Sequence, residues 1–160
     1  MCCRKDLKEM RMLYTQQNVV NHTPISSLPS DHGFNFIQDR YRSSGGIANA
    51  NELAYRQFGG KAGDMNALAK LILVGEIFSF EWQGNFWIPL FQFNPNELTS
   101  RHCVRQILGE LTSVFDGWTL AIWFVQTNSW LEHKKPIDLL DSSLSSVLNA
   151  ARADRYVAVG

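Results

Sequence analysis

Apolar positions in the second half of the chain recur at steps of three and four. Between Glu97 and Phe115, the residues Val104, Ile107, Leu108, Leu111, Val114 and Phe115 fall on one stripe, which predicts a long amphipathic helix. Asp116-Gly117 reads as its stop. Trp118 to Gln126 are apolar on nearly all sides, the pattern of a short helix buried at the centre. Thr127-Asn128-Ser129 breaks the pattern. Pro136 suits the first position of a short helix through Leu140, because its missing N–H would have no partner there anyway. Ser142 or Ser143 can cap a last helix in which Leu144, Val147, Leu148 and Ala151 are spaced for the core.

The first half alternates more. Leu7, Met10, Leu13 and Tyr14 give Met1 to Gln17 an amphipathic helical pattern. Asn18 to Gly46 are rich in Ser, Pro, Asn and Gly; Ser26–Ser30 and Ser43–Gly46 read as loops, with Phe34, Phe36 and Ile37 between them placed to dock on the core. Ile47 to Phe58 look helical. Gly59-Gly60-Lys61-Ala62-Gly63 is a turn, and Asp64 opens a second helix through Gly75, with Met65, Leu68, Ala69, Ile72 and Leu73 as its stripe. The pair has the outline of a helix-turn-helix. In the next segment Phe78, Phe80 and Trp82 alternate with polar residues, and Gly84-Asn85 supplies a two-residue hairpin turn. That register would set Trp82 opposite Trp87 and Phe78 opposite Phe91, pairs worth about 0.2–1 kcal/mol each. Pro89 lacks an N–H, so the second strand is expected at an edge there.

Composition narrows the function classes. The 160 residues are 45% hydrophobic and 12% aromatic, enough material for a packed interior. Fifteen basic and fifteen acidic residues give a formal net charge of zero, which argues against strong nonspecific nucleic-acid binding. Cys2, Cys3 and Cys103 form no even disulfide framework, and the N-terminus has no apolar signal core, so a reducing cytoplasm is the expected compartment. The longest apolar run, Leu120 to Val125, is too short to cross a bilayer, and no membrane role is expected.

Chemistry is sparse. His22, His32, His102 and His133 stand at no metal-ligand spacing, so no metal and no cofactor are expected. Adjacent residues on a helix point about 100° apart, so His102 and Cys103 make a poor nucleophile–base pair. The glycine-rich turn lacks the phosphate-loop spacing. No catalytic residue emerges, and the chain reads as non-enzymatic. Trp130, beside the polar joint, has the setting of a half-exposed partner anchor. Arg152 and Arg155 stand at the expected end of the last helix, where cations also suit the dipole.

Trp118, Ala121, Trp123-Phe124, Asn128, Leu131, Pro136-Ile137-Asp138-Leu139-Leu140, Val147 and Ala150-Ala151 resemble the toxin-binding domain of antitoxins of the Xre/MbcA/ParS class. Phe124 stands for the usual Leu, Thr127 for Pro, and Lys134-Lys135 where a Gly precedes the proline motif. Upstream, Pro89-Leu90-Phe91-Gln92-Phe93 resembles the end of the wing hairpin that follows a helix-turn-helix in many such proteins. The resemblance runs from about Ile47 to the C-terminus.

It implies a mainly α fold: a helical bundle with one β-hairpin, made of a winged-helix-like lobe and a helical C-terminal lobe. The expected segments are an extension over 1–46, the winged lobe over 47–96 with its hairpin at 78–93, and a toxin-binding-like domain over 97–160. The implied partner is a cognate toxin of RES-type or related fold, which degrades NAD or uses it for ADP-ribosylation. The expected partner-binding residues are Asn128, Trp130, Leu131, Pro136, Arg152, Arg155 and Tyr156, with the tail from Tyr156 to Gly160 entering the partner's cleft. The alternative is a winged-helix DNA-binding regulator using Lys61, Asn66 and Lys70, a thin set of contacts for base or phosphate recognition. A small enzyme ranks third. The hairpin edge and Trp130 are candidate contacts for a homodimer.

Overall fold

The computed structural model describes residues 28–58, 64–95, 97 and 99–160. The helix expected over Met1–Gln17 and the turn Gly59–Gly63, with Lys61, lie outside them. The described chain is mostly helical, with six α-helices and one three-stranded antiparallel sheet. No helix among the described residues is long and apolar enough to cross a membrane.

Asp31–Tyr41 forms α1, capped by the Ser30 hydroxyl, which accepts from the Gly33 N–H at 3.1 Å. Its sequence reads as a docking stretch between loops rather than a helix, because Gly33, Asn35 and Asp39 within it weaken the local preference. Packing supplies what propensity does not. Ile37 and Tyr41 are fully buried, and Phe34 stacks on Trp82 at 5.6 Å and meets the edge of Trp87 at 5.1 Å. Gly33 permits this fit, since a Cβ there would stand 2.8 Å from the Trp118 ring.

The helix expected from Ile47 starts later. Ile47–Asn49 is β1, and Ala50–Phe58 is α2. β1 pairs with Asn85–Pro89 (β3), which pairs in turn with Phe80–Trp82 (β2), so the strand order is β1-β3-β2. β3 is therefore central, and the edge position expected at Pro89 is corrected. Pro89 is the last residue of β3, where the ladder ends and a missing N–H is tolerated. The hairpin register is corrected as well: Trp82 faces Asn85 and Trp87 faces Phe80. Gln83 and Gly84, both at positive φ, form the turn in place of Gly84-Asn85. Moving the turn by one residue moves the pairing by two, so each side chain keeps its face. Phe78 and Phe91 still meet, at 6.4 Å, although both lie outside the strands. The Gln92 side chain replaces the missing ladder there. Its Oε1 accepts from Phe78 N at 2.7 Å, and its Nε2 donates to Phe78 O at 2.9 Å and Pro89 O at 3.0 Å.

Asp64–Leu73 is α3. Leu68 is buried, with Leu71 and Ile72 packed beside it against Leu53, Ala54 and Ile88. Met65, Ala69 and Leu73, expected on the same stripe, face solvent instead. The apolar arc of the helix is wider than the side that α2 and the sheet cover, and Asn66 and Lys70 share the uncovered side.

His102–Leu111 is α4, shorter than the stripe from Glu97 to Phe115. Phe93 and Ser100 pair in an isolated bridge and the capping residue Arg101 is extended, so the helix begins only at His102. Val104, Ile107, Leu108 and Leu111 are fully buried. Gly117–Val125 is α5, and it is buried as its all-round apolarity predicts. Asp116-Gly117 begins this helix as well as following the last one: the Asp116 carboxylate accepts from Thr119 N at 2.8 Å. Gly117 lies against the Ser79 carbonyl, with no room for a Cβ. Pro136–Leu139 is a 3-10 turn, and Leu144–Val159 is α6. α6 runs through the segment expected as a tail. One large core joins Ile37 and Tyr41 of α1, Phe78, Phe80 and Phe91, the inner faces of α4 and α5, and Val147, Ala150 and Ala151 of α6.

Candidate functional site

The joint between α5 and α6 is organised by one carboxylate. Val147, Ala150, Ala151 and Asp154 lie on the inner face of α6, and Asp154 is 4% exposed. Its Oδ2 accepts from Trp123 Nε1 and from Asn128 Nδ2, each at 2.7 Å, and its Oδ1 accepts from Trp130 Nε1 at 3.1 Å. A buried carboxylate is tolerable when such donors replace water. Asn128 also caps the 3-10 turn Ser129–Leu131: its Oδ1 accepts from Trp130 N at 2.8 Å. Its backbone N–H donates to Lys134 O at 3.0 Å. Glu132 and His133, at φ 55° and 61°, turn the chain back toward Pro136.

Asn128, Leu131 and Pro136, expected among the partner contacts, are thus buried and shape the joint. Trp130 is 38% exposed, and its indole N–H is directed inward onto Asp154 while part of its ring meets solvent.

The outer face of α6 carries Asn149, Arg152, Tyr156 and Val159, spaced by three and four residues and exposed. Glu110 of α4 organises its charges. Arg152 Nε donates to one carboxylate oxygen at 2.9 Å, and an Arg155 terminal nitrogen forms an ion pair with the other at 2.6 Å. Glu110 is largely sheltered while both arginines are half exposed. The dipole reading of these arginines is corrected: α6 continues to Val159, so both stand in its body and Glu110, not the helix end, holds them. Each guanidinium has five N–H donors in a fixed plane, so one carboxylate leaves donors of both directed outward. The patch, counted with Glu110, has a net charge of +1.

The remaining candidates lie elsewhere. Asn66 and Lys70 are exposed on α3, among Met65, Ala69 and Leu73. His102 is exposed, Cys103 is half-buried, and no cluster of metal-ligating side chains occurs among the described residues. An open groove of about 960 Å³ runs past Leu90, Phe91, Phe93 and Ile137. On its wall, Arg101 donates to the Phe91 carbonyl at 3.3 Å and to Asp141, so its charges answer each other.

Sequence reading missed Asp154 and Glu110. Asp154 had a signal: it continues the Val147, Ala150, Ala151 spacing, which puts an acid on an apolar face. Glu110 had none, because its partners are 42 and 45 residues away. Comparisons with protein-family models, curated proteins and solved structures returned no match for this chain.

Proposed function

We propose that the protein is a non-enzymatic, antitoxin-like protein that binds and neutralises a cognate toxin through the outer face of α6. The observation that carries this reading is the Arg152–Arg155 pair on Glu110, beside the exposed Tyr156 and Val159. Tyrosine and arginine are the side chains that dominate protein interfaces, and a planar guanidinium held in advance loses less entropy on binding an anionic group. The resemblance of Trp118–Ala151 to the antitoxin domain supplies the class of partner: a RES-type toxin that degrades NAD or transfers ADP-ribose. An arginine pair suits the anion-binding cleft of such an enzyme.

Further support comes from the other lobe. The order strand, two helices and hairpin, with the first strand paired to the last, supports reading residues 47–96 as a winged-helix scaffold. The exposed face of α3 offers a duplex Asn66 and Lys70 between apolar side chains, so we read that scaffold as retained without DNA recognition.

The test is co-expression with the product of the adjacent reading frame, followed by co-purification and a growth assay. Arg152→Ala and Tyr156→Ala should each weaken capture at least about tenfold, the effect of losing ~1.4 kcal/mol of binding. These variants are cleaner than deletion from Asp154 onward, which would remove the buried carboxylate and unmake the joint. A neighbour that does not bind, with growth unchanged by either variant, sinks the reading.

A further inference from the structure

We propose that the last turns of α6, residues 152–159, and the joint at residues 128–135 form a latch that docks and undocks as one unit. α6 is attached to the rest of the chain in two ways. Val147, Ala150 and Ala151 give it an apolar footing, and after Ala151 the core receives no further apolar side chain from this helix. Beyond that point the attachments are polar. Asp154 accepts from Trp123, Asn128 and Trp130, and Glu110 of α4 holds Arg152 and Arg155. Buried polar contacts of this kind act as a set, so losing one donor or acceptor loosens the others.

The joint puts a load on this latch. Lys134 N donates to Leu131 O at 3.0 Å across Glu132 and His133, which stand at φ 55° and 61°. Asparagine and glycine ordinarily supply two successive positive φ values in a tight turn, and residues with a Cβ adopt them at a cost. Such a turn persists where its surroundings over-determine it. Here Asn128 does so: its carbonyl accepts from His133 N at 3.0 Å, and its backbone N–H donates to Lys134 O at 3.0 Å. The side chain of Asn128 is fixed in turn by the Asp154 carboxylate at 2.7 Å. The turn therefore keeps its shape while α6 supplies Asp154, and Asp154 stays sheltered while the joint supplies Asn128 and Trp130. Opening either side relieves the turn and frees the other side. With the latch open, Arg152 and Arg155 part from Glu110 and lose their fixed directions. That consequence for a partner rests on the reading of α6 as the docking face; the latch itself does not.

Amide hydrogen exchange of the full chain, with no partner added, tests the assignment. The amides of His133 and Lys134 and those of residues 155–159 should share one opening constant, at least about tenfold larger than that of α4 and α5. Two substitutions each touch one side of the latch. Glu110→Gln loosens the arginines of α6 and should raise the opening constant about two- to fivefold. Glu132→Gly relieves the turn and should lower it about threefold. Each should shift both segments by the same factor, because coupling between two sites is reciprocal, and leave α5 and the sheet as they are. Asp154→Asn should raise the constant of both segments at least about tenfold. If that variant unfolds, the two one-sided variants decide alone. A joint and a helix end that each answer only to their own substitution overturn the proposal. So does a folded Asp154→Asn chain that exchanges like the parent. A helix end whose protection declines residue by residue toward Gly160, while the joint is as protected as α5, is simple fraying and overturns it too.

Discussion

The helices α3 and α6 both turn one face to the core and one to solvent, yet they divide their chemistry in opposite ways. α3 keeps its polar groups outside only, with Leu68 and Ile72 inward and Asn66 and Lys70 sharing the outer face with Met65 and Leu73. α6 is mixed on both sides: Val147 and Ala151 share the inner face with the Asp154 carboxylate, and arginines share the outer face with Tyr156 and Val159. Apolar surface is non-directional, so Met65 and Leu73 would discriminate a partner only by shape and area. The outer face of α6 has oriented donors, so it would discriminate by chemistry as well. The inner faces differ in the same sense. The contacts of α3 tolerate repacking, whereas Asp154 makes the position of α6 depend on particular donors.

The largest expected effect strikes the inner face of α6. Asp154→Ala leaves the Trp123 indole and the Asn128 amide without their buried acceptor and should cost roughly 3–5 kcal/mol in urea unfolding. Leu73→Ala on the outer face of α3 should stay within about 0.5 kcal/mol of the parent in the same measurement. Equal losses would break the contrast. Next comes Gly117→Ala, about 3 kcal/mol, because the new Cβ must push back the Ser79 carbonyl where α5 meets the sheet.

Glu110→Gln should cost under about 1 kcal/mol, as ion pairs to half-exposed arginines do, and this stability readout should be insensitive to anything bound at α3. A loss of several kcal/mol would mean that the outer face of α6 is structural after all. Lys70→Ala should leave duplex binding at low salt as it is in the parent; clear weakening would give α3 a charged partner and erase the difference between the two faces.

The smallest effect at neutral pH is a control on the shared core. The buried Tyr41 hydroxyl donates to Ala121 O at 2.8 Å, and burial pushes its pKa well above the usual tyrosine value. The unfolded chain then loses that proton first. The stabilisation is present below the ordinary tyrosine value of about 10 and is lost as pH rises past it, and Tyr41→Phe should flatten that fall in a pH-dependent melt.

Most of the helical frame was legible in the sequence. Where apolar residues repeat on a single side, as at Val104–Leu111, or on all sides, as at Trp118–Val125, burial follows directly from the pattern. The hairpin and its aromatic face were legible too, since parity survives a displaced turn. α1, β1 and the two faces of α3 were not. Each depends on a neighbour far along the chain: the Trp118 ring over Gly33, the pairing of Ile47 with Pro89, and the coverage of one side of α3. For the candidate site, the sequence by itself determined which residues could meet a partner, because Arg152, Tyr156 and Trp130 carry their chemistry with them. Only the tertiary structure decided which of those candidates face solvent and how they are held. Asn128 turns inward to Asp154, and Glu110, supplied by another helix, fixes the arginines in place. Local periodicity records which side of a helix is apolar; the elements brought against each side are set by the fold.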